Sequence, residues 1–261
     1  MKLLHRCIFS ILVLALPVFS GCYFSADSAQ NADQSVDLSV TKSDAVRSFS
    51  ATGTSFTIGA AKVDITGPIV ESSTGYNSPG EMMQGLAMRL YSRAFIIETP
   101  VNGKRVAIVT ADMIHMYQSI KEGVVKQREE MGRGDYYTTD NVLISATHTH
   151  SAPSNISWYT LFNLFNGTTG FDELHYDIVV KGIAQSILQA HNSRQAGSIS
   201  VVQGTLDGAA FNRSSLAYNT NYDAGQYDSD VEETMTLLKF TGADGDPIGI
   251  VSWFAAHGTS L

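Results

Sequence analysis

The stretch 141-NVLISATHTHSAP-153 ends an apolar run in two histidines one residue apart. Asn141–Thr147 reads as a buried strand, rich in branched apolar residues and bounded by turn formers. Side chains alternate across a strand, so Val142, Ile144, Ala146, His148 and His150 share one face if the strand persists. Two imidazoles placed this way can chelate a single metal. They can instead divide into one metal ligand and one substrate contact, or simply close a strand as polar loop residues. Ser151 and Pro153 turn the chain immediately afterwards.

Outward from this strand, helical and extended patterns mix. Phe56–Ile65 reads as a strand. Arg89–Glu98 and Arg105–Ala111 flank Asn102-Gly103, a strong hairpin signal. Gln118–Met131 reads as a helix. Asp172–His191 is the clearest helix, with Asp172 as its cap and Leu174, Ile178, Ile183, Ile187 and Ala190 near one face. Ser198–Leu206 is a further strand, and residues 214–233 a polar loop. Glu233–Phe240 and Ile248–Ala256 are strands joined through Gly242–Pro247, a second hairpin. The expected fold is mixed α/β (α+β): a sheet core with hairpins and flanking helices, not a purely parallel sheet.

The chain has 261 residues, 44% hydrophobic and 16% charged, which is ordinary globular composition. The formal net charge of −8 and the lack of a basic stripe exclude nucleic acid as an expected partner. Lys2 and Arg6 precede an apolar run over residues 8–19, the pattern of a secretory signal. Phe19-Ser20-Gly21-Cys22 resembles a bacterial lipobox. The reading is a signal peptide over 1–21, a lipid-bearing Cys22, and a flexible Ser/Ala/Asp/Gln/Thr-rich tether over 22–54. The protein is then expected to be exported, held to a membrane surface through its lipid (periplasmic or cell-surface), or secreted. With Cys7 removed and Cys22 acylated, no thiolate is left for a disulfide or metal site, and a metal must be held by His, Asp, Glu or Tyr.

Several other residues are candidates for chemistry. His257 follows the strand Ile248–Ala256, which reads as apolar on both faces, and ligand sites concentrate where a buried strand meets a loop. Arg213, in Asn212-Arg213-Ser214, can polarise a carbonyl or hold an anion; alone it reads equally as a surface cation. Asp112, ending a strand, can orient a histidine. His115, His175 and His191 read as incidental, the last two as solvated helix residues. The sequence has no GxSxG elbow, HExxH helix or Walker loop. The metallo-β-lactamase pattern HxHxDH is also absent. A histidine-based metal site is what remains, and zinc suits imidazole ligands.

Four segments together carry a resemblance: Arg89–Ile96, Ala146–Ser151, Asn212–Ser214 and Ser252–Ser260. In this order and with similar gaps they resemble neutral ceramidases, over roughly residues 56–261. The resemblance implies a zinc amidohydrolase that cuts the amide of ceramide to sphingosine and fatty acid. It implies His148 and His257 as zinc ligands, and His150 and Arg213 as active-site residues contacting substrate or the developing oxyanion. The family's Gly-Pro-Gly-Gly-like turn after THTHS is replaced here by Ala152-Pro153-Ser154-Asn155. The family's other zinc ligands, a Glu and a Tyr, lie further C-terminal, as do its active-site serine and an immunoglobulin-like domain.

The chain stops at Leu261, four residues past His257. Residues 55–261 are therefore expected to be the N-terminal portion of a longer catalytic domain. Two other readings stand beside the ceramidase one. The chain is a truncated, non-catalytic surface lipoprotein that binds lipid or a partner, or a relative that hydrolyses a different lipid amide or ester.

Overall fold

The computed structural model describes residues 47–50, 55–69, 73, 82–165 and 170–258. The expected signal peptide, Cys22 and most of the 22–54 tether lie outside the described residues.

The strands are β1 (Arg47–Ser50), β2 (Phe56–Asp64), β3 (Tyr91–Glu98), β4 (Arg105–Ala111), β5 (Val142–Ala146), β6 (Gln195–Thr205), β7 (Thr234–Gly242) and β8 (Pro247–Trp253). The helices are α1 (Gln118–Glu130), α2 (Thr160–Phe165), α3 (Glu173–Asn192) and α4 (Ser215–Tyr218). One sheet runs in the order β5-β4-β3-β2-β6-β7-β8, with β1 paired to β6. Pairing thus starts at Arg47, inside the segment read as tether. The sheet is mixed, as expected: β4 and β5 are parallel and the other recorded pairs are antiparallel.

Local chemistry explains the connections. In the β3–β4 turn Gly103 takes φ 64°, and the Asn102 side-chain oxygen accepts from Thr99 and from the Lys104 amide. A parallel neighbour cannot be reached by a two-residue turn, so β4 and β5 are joined through α1. Asp172 caps α3 by accepting from the His175 amide at 2.9 Å.

The first hydrophobic core lies between the sheet and helices α1 and α3. It includes Ala94, Ile96, Ala107, Val109, Ile120, Val124, Ile183 and Ile187. Small residues on β2, β3 and β4 let α3 approach closely. At Gly59 an added Cβ would lie 1.9 Å from the Ala190 carbonyl oxygen, so only glycine fits there. The face of α3 is shifted from the one expected. Ile183, Ile187 and Ala190 are buried, but Leu174 is 64% exposed. His175 and His191, read as solvated, are buried instead. Both are spent on hydrogen bonds: His175 Nδ1 donates to the Ser154 carbonyl at 3.1 Å, and His191 Nδ1 accepts from the Tyr137 hydroxyl at 2.8 Å.

A second core of Ile58, Phe240 and Val251, with Phe95, Ile97 and Leu238 against it, fills the other face. It shows that the sheet curls. Strands in a flat sheet are about 4.8 Å apart, which would leave β3 and β7 roughly 14 Å apart across three steps. Yet Phe95 of β3 stacks on Phe240 of β7 with ring centroids 4.9 Å apart. Gly249 of β8 lies so near the Phe95 ring that a Cβ would come within 2.8 Å. The curl carries the two ends of the strand order towards each other. β8 was expected to be apolar and buried on both faces. It is an end strand of the described sheet, with Ile250 57% and Trp253 47% exposed.

Candidate metal and substrate site

The curled sheet brings together loops that follow its two outermost strands. His148 and His150 come after β5, and His257 comes after β8. The Nε2 atoms of His148 and His257 are 3.0 Å apart. The ring of His150 lies 5.0 Å from that of His148 and 5.1 Å from that of His257. One nitrogen from each of the three rings falls within a group spanning 4.8 Å.

The strand does not persist through the two histidines. β5 ends at Ala146, and His148 takes φ 62°, a left-handed conformation that non-glycine residues adopt only when surroundings hold them. The two imidazoles therefore meet through a strained turn and not through strand alternation. The Ile114 carbonyl holds His148 by accepting from its Nδ1 at 2.8 Å. A carbonyl only accepts, so Nδ1 carries the proton and Nε2 of the neutral ring presents its lone pair. That carbonyl does what was expected of Asp112. Asp112 instead pairs with Arg93 at 2.8 Å and accepts from the Tyr91 amide, tying β3 to the end of β4.

Two nitrogens at two corners of a tetrahedron around a zinc-sized ion, each about 2.0–2.1 Å from it, are about 3.3 Å apart. The 3.0 Å separation is close to that value. The fixed tautomer of His148 and the all-imidazole donor set both suit a borderline-soft divalent cation. The residues fit a metal.

His150 is buried, 5% exposed. Burial, and then the neighbouring imidazoles of His148, His257 and His115 and the Arg213 charge, lower its pKa and favour the neutral ring. Arg213 is exposed and lines one cleft with His257. His115, read as incidental, packs against His148 with ring centroids 5.4 Å apart. Its neighbour Ile114, whose carbonyl holds His148, lies three residues past the end of β4, and no side-chain pattern marks it.

Beside His150 opens a cavity of about 340 Å³, lined mainly by apolar groups that include Ile69, Met83, Leu86, Met88 and Leu90. The buried His175 anchors its wall, both by its bond to Ser154 and by packing against Gly67, where a Cβ would meet the ring at 2.4 Å. At the departure from the family turn, Asn155 takes φ 70°, a conformation glycine adopts freely and asparagine tolerates better than most residues. Its carbonyl accepts from the Asp172 amide at 2.8 Å, fastening the loop to the start of α3.

Residues 56–261 match the family described as neutral/alkaline non-lysosomal ceramidase, N-terminal. The chain is 38% identical over 209 residues to a neutral ceramidase of Oryza sativa subsp. japonica, covering 79% of this chain and 26% of that protein. It is 35% identical over 207 residues to a neutral ceramidase of Pseudomonas aeruginosa, covering 79% of this chain and 30% of that protein. The crystal structure of neutral ceramidase from Pseudomonas aeruginosa superposes with a TM-score of 0.73 at 34% identity, covering 78% of this chain and 32% of that one. A ceramidase complexed with C2 gives a TM-score of 0.72, covering 78% and 31%. The chain thus spans under a third of the length of these relatives. On the matched residues, the shared fold and the identities above 30%, the chain belongs to the neutral/alkaline non-lysosomal ceramidase family.

Proposed function

We propose that this chain supplies the N-terminal part of a zinc-dependent amidohydrolase that cleaves the N-acyl amide of ceramide or a related sphingolipid. The observation that carries the reading is the convergence of His148 and His257 from loops at opposite ends of the sheet order, Nε2 to Nε2 at 3.0 Å. In this reading His148 and His257 hold zinc, and His150 and Arg213 face the substrate. By the family resemblance, a Glu and a Tyr from further along the polypeptide complete the ligand set. Bound zinc supplies Lewis acidity towards the amide carbonyl and lowers the pKa of a water nucleophile.

The Ile114 carbonyl keeps the His148 lone pair directed at the metal position. His150, held neutral by burial and adjacent positive charge, offers one N–H and one lone pair beside the amide. Arg213 brings a permanent cation into the cleft shared with His257, where charge developing on the carbonyl oxygen is stabilised. The apolar cavity beside His150 takes an alkyl chain, excluding water from the reacting amide. In the same reading, residues 1–21 direct export and Cys22 carries the lipid that anchors the protein to a membrane.

The test is zinc content and sphingosine release from ceramide, measured on the native protein and on His148→Ala. Loss of a direct ligand is expected to exceed the roughly 10–100-fold effect of disturbing an outer-shell partner. Unchanged zinc content and unchanged rate in His148→Ala would sink the proposal.

A further inference from the structure

A second group of exposed side chains, none of which lines the apolar cavity, has no role in the chemistry described above. Residues 151–171, SAPSNISWYTLFNLFNGTTGF, contain no Asp, Glu, Lys or Arg. Within and just beyond this run, Trp158 (53%), Tyr159 (61%), Leu161 (63%), Phe171 (36%) and Leu174 (64%) are exposed. Leu161 of α2 follows Tyr159 closely, and Leu174 lies in the first turn of α3. Trp158 and Phe171 flank the ring of Tyr176, with centroids 6.4 and 5.2 Å from it. Single exposed apolar residues are normal, but a cluster of large ones marks an interaction surface; the run itself is uncharged, and the acidic Asp172, Glu173 and Asp177 follow it at the start of α3.

The patch is joined to the histidine site. Phe162 of α2 packs edge-on against His115 at 5.8 Å, and His115 packs against His148 at 5.4 Å. The polar tips are kept at its border: the Tyr159 hydroxyl donates to Gln118 Oε1 at 3.0 Å, and the Tyr176 hydroxyl to the Ser119 carbonyl at 3.0 Å. Rings that bury a body and keep a polar tip suit the boundary of a bilayer.

We infer that Trp158, Tyr159, Leu161, Phe171 and Leu174 form a docking face for the interfacial layer of a lipid bilayer, beside the histidine site. The inference rests on the reading that the substrate is a bilayer lipid. The charge pattern selects the kind of bilayer. A run without Lys or Arg, followed by Asp172, Glu173 and Asp177 on a chain of net charge −8, gains nothing from anionic headgroups. Insertion is driven by apolar burial, so zwitterionic phosphatidylcholine is the matching surface and added salt does not release it.

The chain has two tryptophans, Trp158 and Trp253, so Trp253→Phe leaves Trp158 as a single reporter. The full chain carrying that substitution is mixed with ceramide-free phosphatidylcholine vesicles, plain or brominated on the acyl chains. The expected result is a blue shift of Trp158 emission and quenching by the brominated lipid, unchanged between low and high salt. Leu161→Ser with Leu174→Ser should weaken vesicle partition by at least tenfold. Because no ceramide is present, the result does not depend on the hydrolase reading; hydrolysis of a water-soluble short-chain substrate tests that separately. The inference is overturned if Trp158 stays quenchable by aqueous acrylamide on vesicles, even when the protein is bound to them by its N-terminal segment. A blue shift that appears without lipid and grows with protein concentration overturns it in favour of self-association. Blue, acrylamide-protected emission in the dilute lipid-free protein overturns it in favour of a face already covered.

Discussion

At the scale of single residues, the histidines divide by what their ring nitrogens face. His191 is buried beside guanidinium groups, and Arg194 reaches its Nδ1 at 3.0 Å. A guanidinium only donates, so Nδ1 must accept and the ring is neutral. Burial first, then Arg194, Arg105, Arg133 and Arg128, push its pKa down to about 4 from an ordinary 6.5. The folded state therefore binds this proton more weakly than the unfolded chain does. The stability this contributes is fully present above about pH 6.5 and is lost as pH falls towards 4, with a slope of at most about 1.4 kcal/mol per pH unit. Urea unfolding from pH 7 to 4.5 should show that acid-side loss. His191→Gln, which cannot take up the proton, should show a shallower fall. Equal slopes for the two proteins would contradict the assignment. His175, also buried and with its pKa lowered chiefly by burial, adds to the same acid sensitivity.

At the scale of elements, α3 links the core to the site. Its capping residue, Asp172, holds the first turn through the His175 amide. Its own amide donates to the Asn155 carbonyl. Removing the carboxylate by Asp172→Ala should cost about 0.5–2 kcal/mol in denaturant unfolding, with no change in the slope against denaturant. A loss well below this range would mean that water or a neighbouring group replaces the cap. The β3–β4 hairpin, by contrast, is locally specified. Asn102-Gly103 supplies both the side-chain oxygen and the positive φ the turn needs. The bounds of these elements differ from the expected ones by two residues or fewer.

At the scale of the whole molecule, the distance between His148 and His257 is set by sheet curvature. Phe95, locked against Phe240, leaves just enough room for Gly249. Gly249→Ala places a methyl group within 2.8 Å of that ring, and the ring cannot step aside without breaking its stack. The expected outcome is a β8 displaced outwards, with zinc affinity lowered about tenfold or more although no ligand is touched. Competition with a chromophoric zinc chelator measures this. Unchanged affinity would show that the loop bearing His257 is positioned independently of β8.

Local pattern determined a good deal here. Period-two runs located most strands, Asn-Gly and Gly-rich segments located the hairpins, and Asp172 marked the start of α3 within one residue. The ordered motifs around His148, His150, Arg213 and His257 pointed to one family, which the comparisons show. Other features depended on contacts between residues far apart in the chain. The burial of His175 and His191 follows from which face of α3 meets the sheet, and their polarity masks that face in any hydrophobic pattern. The left-handed turn at His148 is held by a carbonyl 34 residues away in sequence. The convergence of His148 with His257, 109 residues apart, exists because strand twist and the Phe95–Phe240–Gly249 packing curl the sheet. Alternation says which face a side chain takes, whereas curvature, which decides what lies opposite it, is settled only by tertiary packing.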